Sequence, residues 1–166
     1  KRTEILNMKK IYVIHENDDW LIPLRKSFEK INAPYAEWHM NKEKFDYKKA
    51  PPEGIFYNRM SASSHSRGHR YAPENTKNLL SWLEEKKKRV INNSRALELE
   101  ISKKEQYIEL KKFDIKFPTT YYANNKKEII EKSKNFTKPF ITKHNRGGKG
   151  LGVKYFENTS DLEKYA

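Results

Sequence analysis

The sequence predicts an α/β protein: an open, mostly parallel sheet domain followed by a small α+β subdomain with a glycine-loop hairpin. Three observations carry that expectation. Short β-rich runs alternate with stretches of helical periodicity through the first half of the chain, the pattern of successive βαβ units. The alternation ends near residues 93–102, beyond which the chain is mainly polar and helical. Four of the six glycines then fall between positions 147 and 152, flanked on both sides by residues of β type.

The elements follow in order. Residues 10–15 form a short β-rich run. Trp20, Leu24, Phe28 and Ile31 recur at helical spacing and predict a helix over 20–31. Residues 35–40 and 54–57 read as the second and third strands, separated by a Lys-rich connection containing Pro51 and Pro52. Residues 58–73 are polar and without period, long for a passive loop. A second helix over 74–88 presents Leu79, Leu80, Trp82 and Leu83, and residues 89–92 supply a fourth strand. Ser102-x-x-Glu105 has the form of a capping box and opens a helix over 102–113. A strand at 119–122, a helix at 125–133 and a hairpin pairing 138–144 with 151–156 complete the chain.

Met8-Lys9-Lys10-Ile11 reads as a start running directly into the first strand. Residues 1–8 are therefore expected to be tail, 9–93 the first domain and 94–166 the second. Ser160-Asp161-Leu162-Glu163 resembles another capping box, yet the chain stops at Ala166, short of the about 11 residues of an average helix. The second domain is accordingly expected to be cut short.

Composition narrows the class. The mean hydropathy is −1.05, but ten Tyr, eight Phe and three Trp supply enough large side chains for a core. No run approaches the roughly 18 apolar residues of a membrane span, and no secretory signal is evident. The absence of Cys excludes disulfides and thiolate metal sites and agrees with a cytoplasmic location. The net charge of +13 suits a polyanion, either a nucleotide or a nucleic acid, although lysines spread over every segment also make an ordinary solvated surface.

The segment Lys143-His144-Asn145-Arg146-Gly147-Gly148-Lys149-Gly150-Leu151-Gly152-Val153 has the strongest chemical content. Glycines let backbone N–H groups converge on an anion, and Arg146, Lys149 and Lys143 add positive charge, so the loop can cradle phosphates. It is not a Walker A loop, because Gly150 rather than Ser or Thr follows Lys149, and no helix follows as in a Rossmann turn. An ordinary wide hairpin would use the same glycines. Lys103 and Lys104 fall in the first turn of a helix, where the macrodipole disfavours cations and a bound phosphate would favour them.

Arg59, Ser61, Ser63, Ser64, His65, Arg67, His69 and Arg70 crowd the 58–73 stretch and could recognise a carboxylate or phosphate. A mobile surface loop would look the same. The i, i+4 pair His65 and His69 is a poor zinc site, because Gly68 and the serines argue against a helix. Asp18 or Asp19 reads as the N-cap of the first helix. No Ser–His–Asp or paired-carboxylate arrangement stands out from spacing.

Taken in sequence, these segments resemble the ATP-grasp superfamily, in the branch of glutathione synthetase and the ribosomal-protein glutamate ligases. The resemblance spans residues 9–166. Ile55-Phe56-Tyr57-Asn58-Arg59-Met60-Ser61 is similar to the strand and loop carrying an Arg near the substrate site, and Val90-Ile91-Asn92-Asn93 to the strand leaving the pre-ATP-grasp domain. Ser102-Lys103 stands where the family often has Asp-Lys. Phe113-Asp114-Ile115-Lys116-Phe117-Pro118-Thr119 resembles its Gly-Ile-x-x-Pro-x-Thr stretch, with Asp114 where a left-handed Gly is common. Residues 139–153 resemble the lysine-bearing strand and glycine loop that close over ATP.

The resemblance implies an ATP-dependent carboxylate–amine ligase. ATP would activate a small carboxylate as an acyl phosphate for attack by an amine acceptor or a peptide terminus. Lys103 and Lys143 would hold the α- and β-phosphates, the loop from Arg146 through Gly147, Gly148, Lys149 and Gly150 to Gly152 would cover the γ-phosphate, and Arg59, Ser61 and Arg67 would bind substrate. The adenine hinge and the Mg²⁺ ligands would lie beyond residue 166, since Glu157, Asp161 and Glu163 do not replace them. A basic nucleic-acid-binding module without catalysis is the alternative.

Overall fold

The computed structural model describes residues 9–146, 150 and 152–165. The loop positions Gly147, Gly148 and Lys149, and Leu151 beside them, lie outside the described residues. The chain divides after Glu100 into two compact units.

The first unit contains the parallel sheet. Strands β1 (Ile11–His15), β2 (Tyr35–His39), β3 (Ile55–Asn58) and β4 (Arg89–Ile91) lie in the order β2-β1-β3-β4, each pair parallel. Parallel neighbours need crossovers. Helix α1 (Ile22–Lys30), entered through a 3₁₀ turn at Asp19–Leu21, joins β1 to β2, and α2 (Ala72–Glu85) joins β3 to β4. Residues beside each other in register share a face, so Ile11, Val13 and His15 align with Tyr35, Glu37 and His39. On this face Val13 is buried with Leu21 and Phe28, and α1 covers it. The alternate residues Tyr12, Trp38 and Phe56 gather their rings on the other face, with centroids 5.1–5.2 Å apart. Leu79, Leu80 and Leu83 of α2 are fully buried, each contributing roughly 1.5–3 kcal/mol by area.

Three helices end in the same way without glycine. Asn32, Lys87 and Asp114 take φ of 50°, 56° and 53°. The next residue's N–H then returns to the carbonyl five back: Ala33 to Phe28, Lys88 to Leu83 and Ile115 to Leu110. These are Schellman closures, and the left-handed Asp114 expected from the sequence is one of them.

The structure corrects several boundaries in this unit. The 58–73 stretch is not an aperiodic loop: Ser61 caps a 3₁₀ helix over Ala62–Arg67, ended by left-handed Gly68. Helix α3 (Ser94–Ile101) was not expected. The Asn93 side chain accepts from Ala96 N–H, and Ser94 donates its amide and hydroxyl to Glu84 at 3.0 and 2.6 Å, which fixes the start of α3 to α2. The sequence had assigned these residues to the second domain. Neither Asp18 nor Asp19 caps by its side chain; Asn17 Oδ1 accepts from Trp20 N–H, while Asp18 pairs with Arg25 and Lys42.

The second unit is thinner. It holds α4 (Lys103–Lys112), α5 (Lys126–Ser133), the antiparallel pair β5 (Phe140–Thr142) and β6 (Lys154–Phe156), and α6 (Thr159–Tyr165). Its core is Phe140, Phe156 and Leu162, with Ile129, Ile130 and Phe136 against them. The strand expected at 119–122 does not form. Thr120 bonds the Pro118 carbonyl, and the Tyr122 carbonyl accepts from Lys132 Nζ, so the groups that would join a ladder are used locally. The cap of α6 is Asn158, which accepts from Asp161 N–H, rather than Ser160, so this helix starts a residue before the expected box.

Candidate functional site

A cavity of about 500 Å³ opens in the second unit, within the usual size range of small-molecule sites. Its walls come from α4, the irregular 118–123 segment, α5 and β5, and Lys103, Lys132 and Lys143 all line it. Lys143 leaves the end of β5 and donates to the Tyr107 hydroxyl at 2.6 Å, with its ammonium 5.0 Å from the ring centre. Tyr107 is itself stacked on Phe117, the centroids 4.8 Å apart. Lys132 is tied to the Tyr122 carbonyl. A lysine held at its tip loses less freedom on meeting a ligand than one waving in solvent.

One residue fixes the register of β5 against α4. The Asn145 carbonyl accepts from Lys103 N–H at 3.2 Å, its side-chain oxygen accepts from Lys104 N–H at 2.9 Å, and its amide donates to Ser102 Oγ at 3.2 Å. Ser102 Oγ also accepts from Glu105 N–H, the serine half of the expected capping box. The first-turn amides of α4 are therefore satisfied by protein. The helix N-terminus is not an open anion cradle, and any phosphate contact here would come from the lysine ammonium groups.

Of the loop residues expected to bind phosphate, Gly147, Gly148 and Lys149 lie outside the described residues. Arg146 precedes them, in a bend that follows β5. Gly150 and Gly152 have φ of 72° and 73°, and Val153 N–H closes a turn on the Gly150 carbonyl. The φ of Gly152 favours glycine, and a Cβ there would stand 2.5 Å from the His144 ring, which would have to shift.

The first unit carries a second cavity, of about 350 Å³, at the carboxyl ends of β3 and β4, lined by Trp20, Asn58, Arg59, Ser61, Asn92 and Glu100 among others. In open parallel sheets ligands bind at the strands' carboxyl ends, where the strand order reverses, and here β1 and β3 diverge. Asn58 and Asn92 exchange side-chain bonds with each other's carbonyls at 2.9 and 3.1 Å, and left-handed Asn92 makes that exchange possible. Arg59 reaches the Tyr57 hydroxyl at 3.3 Å, and Ser61 Oγ meets Ser63 Oγ at 3.0 Å.

Arg67 is placed differently. Its guanidinium grips the buried Glu16 carboxylate, donates to Ser63 Oγ at 3.1 Å and lies 4.9 Å from the Trp20 ring centre. His69 Nδ1 meets the other Glu16 oxygen at 2.8 Å. Burial alone would raise the Glu16 pKa, but bonds from Arg67 and His69 outweigh it and leave it below the ordinary value. The structure thus joins Arg59 and Ser61 at the cavity and engages Arg67 in an internal ion pair. His65 bonds the Ala62 carbonyl while His69 bonds Glu16, so the two are held to different partners.

No protein-family model matches the chain, and no curated protein sequence matches it. Among solved structures, an ATP-grasp RimK-domain protein of Sphaerobacter thermophilus superposes with a TM-score of 0.64 at 16% identity, covering 94% of this chain and 56% of that one. The fold is ATP-grasp-like. The chain spans little more than half the length of that neighbour. Among the described residues no helix is long and apolar enough to cross a membrane.

The groups implied by such a fold fit unequally. The second-unit cavity, lined by three lysines, suits a nucleotide polyphosphate. Magnesium does not fit: it requires hard oxygen ligands, and the one metal-type cluster among the described residues is two histidines and an aspartate in the first unit.

Proposed function

We propose that this chain forms the nucleotide-phosphate-binding part of an ATP-dependent ligase that joins a carboxylate to an amine through an acyl phosphate. The observation that carries the reading is the tethering of Lys143 to Tyr107 in a cavity that Lys103 also lines. In this reading Lys103 and Lys143 neutralise the α- and β-phosphates, and the loop from Arg146 to Gly152 covers the γ-phosphate. Arg59 and Ser61 orient the carboxylate at the first-unit cavity, and Arg67 acts on that site through Glu16 and Ser63 rather than by touching substrate. Phosphoryl transfer depends on positioning and charge neutralisation, which needs no protein nucleophile. Glu157, Asp161 and Glu163 do not replace the magnesium ligands that the resemblance implies, and we expect this 166-residue chain by itself to release no ADP above background in a coupled assay; turnover would contradict that.

ATP should protect the segment from Arg146 to Gly152 against limited proteolysis, and Lys143→Ala should reduce the protection. The basic-module alternative predicts instead no ATP protection and steeply salt-dependent binding of oligonucleotides.

A further inference from the structure

Three metal-ligand side chains meet at the carboxyl edge of the first-unit sheet, away from either cavity's lining. His15 ends β1 and His39 ends β2, and the two are register partners, so their rings project from the same face at neighbouring strands. Their centroids are 5.0 Å apart at 72°. Asp18, in the turn that follows β1, places a carboxylate oxygen 3.7 Å from His39 Nε2. One ligand atom from each of the three lies within 4.8 Å of the others.

Ring stacking and ion pairing alone leave part of this arrangement unexplained. His15 is 1% exposed, and neither of its ring nitrogens makes a hydrogen bond of good geometry; the Asn17 backbone lies nearby and the Glu37 carboxylate stands 3.5 Å from Nε2. An unsatisfied buried polar group costs about 1–3 kcal/mol, so it calls for an explanation. We propose that His15, His39 and Asp18 form a binding site for a zinc-class divalent cation.

The chemistry of the set selects the ion. Two imidazole nitrogens and one carboxylate suit zinc, nickel or copper, and are wrong for magnesium or calcium. Ligand atoms on a tetrahedral zinc are about 3–3.5 Å apart, following from bonds of about 2.0–2.2 Å. The present spacing therefore closes by movements of about 1 Å. Asp18 can make them, because its side chain is half exposed.

Two contacts must yield. Lys42, whose side chain is 65% exposed, bonds Asp18 Oδ2 at 3.2 Å and occupies the lone pair the cation would take. An exposed pair of that kind is worth little. His39 Nδ1 accepts a long 3.3 Å bond from Asn41 N–H, which is given up if Nε2 binds the metal, since Nδ1 then carries the proton. Arg25 need not move: it holds Asp18 by Oδ1 and is bidentate on Glu37 at 2.6 and 2.7 Å. Three protein ligands are one fewer than a tetrahedral zinc takes, and a water would supply the fourth.

Calorimetric titration of the whole chain with zinc chloride, without nucleotide, tests the site. Expected are one zinc per chain, a zinc-dependent rise in the melting temperature, and visible cobalt bands of a nitrogen–oxygen tetrahedral site. His39→Asn and Asp18→Asn, each checked for an unchanged far-ultraviolet circular dichroism spectrum, should each weaken zinc at least tenfold. His65→Asn and His144→Asn should leave it intact. Absence of binding, binding unaffected by His39→Asn and Asp18→Asn, or loss in the His65 or His144 variant would each overturn the assignment.

Discussion

The two units use polar residues in opposite ways. In the first, Glu16, Arg67 and His69 satisfy one another, as do Arg25, Glu37 and Asp18, beside a sheet with aromatic and leucine-rich faces. In the second, Lys143 and Lys132 line a cavity and are held by the neutral Tyr107 ring and hydroxyl and by the Tyr122 carbonyl, over a core of three buried apolar side chains. Charge spent on internal pairing stabilises a scaffold; charge held lightly at a cavity wall is available to a ligand. On the proposed reading, that contrast favours the second unit for nucleotide phosphate and leaves the first to orient the carboxylate.

The largest effect should come from the cores. Phe56 and Leu80 are completely buried, and Leu80→Ala is expected to destabilise the first unit by about 2–5 kcal/mol. Phe156→Ala removes one of three core residues in the second unit and should unfold it while the first keeps its protected amides. Hydrogen exchange read by unit checks both, and simultaneous loss of protection in the two units would break the comparison.

Glu16→Gln comes next, at about 1–3 kcal/mol, because it leaves Arg67 and His69 facing a neutral amide. Glu16 has a folded pKa below its ordinary 4.5, so its contribution is complete above that pH and is lost as pH falls through the folded value. Urea midpoints of the natural chain should therefore fall on acidification below pH 4.5 more steeply than those of Glu16→Gln. Parallel curves would show that the pair does not couple to folding.

The smallest effect expected is Ser102→Ala. It removes the N-cap of α4 and one bond from Asn145, costing about 1 kcal/mol of stability. It should weaken nucleotide more than this modest figure suggests, since Asn145 aligns α4 with the end of β5. Unchanged nucleotide affinity would mean that alignment is irrelevant to binding.

Much of this architecture was legible in the residues. Runs of β type alternating with helical spacing located all four parallel strands, and the Ser102 cap marked one helix start in the second unit. What escaped was set by tertiary partners. Helix α3 depends on Glu84 reaching Ser94, although Asn93 offered a readable cap. The missing strand at 119–122 reflects the absence of a paired neighbour, which no local propensity reports. At the candidate cavity, Lys103 and Lys143 stood out by type and order. Tyr107, Lys132 and Asn145 did not, because an isolated tyrosine, lysine or asparagine in a Lys-rich chain carries no spacing signal. Arg67 looked like a ligand-binding arginine until its buried partner Glu16, 51 positions away, was located.

The central claim is that lysines of the second-unit cavity bind nucleotide phosphate. Calorimetry of the whole chain with ATP and with adenosine, on the natural sequence and on Lys143→Ala, tests it most directly. The account predicts that ATP binds more tightly than adenosine and that Lys143→Ala weakens ATP about tenfold, or about 1.4 kcal/mol, while leaving adenosine unchanged. Equal affinity for ATP and adenosine, or ATP binding indifferent to Lys143→Ala, would contradict it.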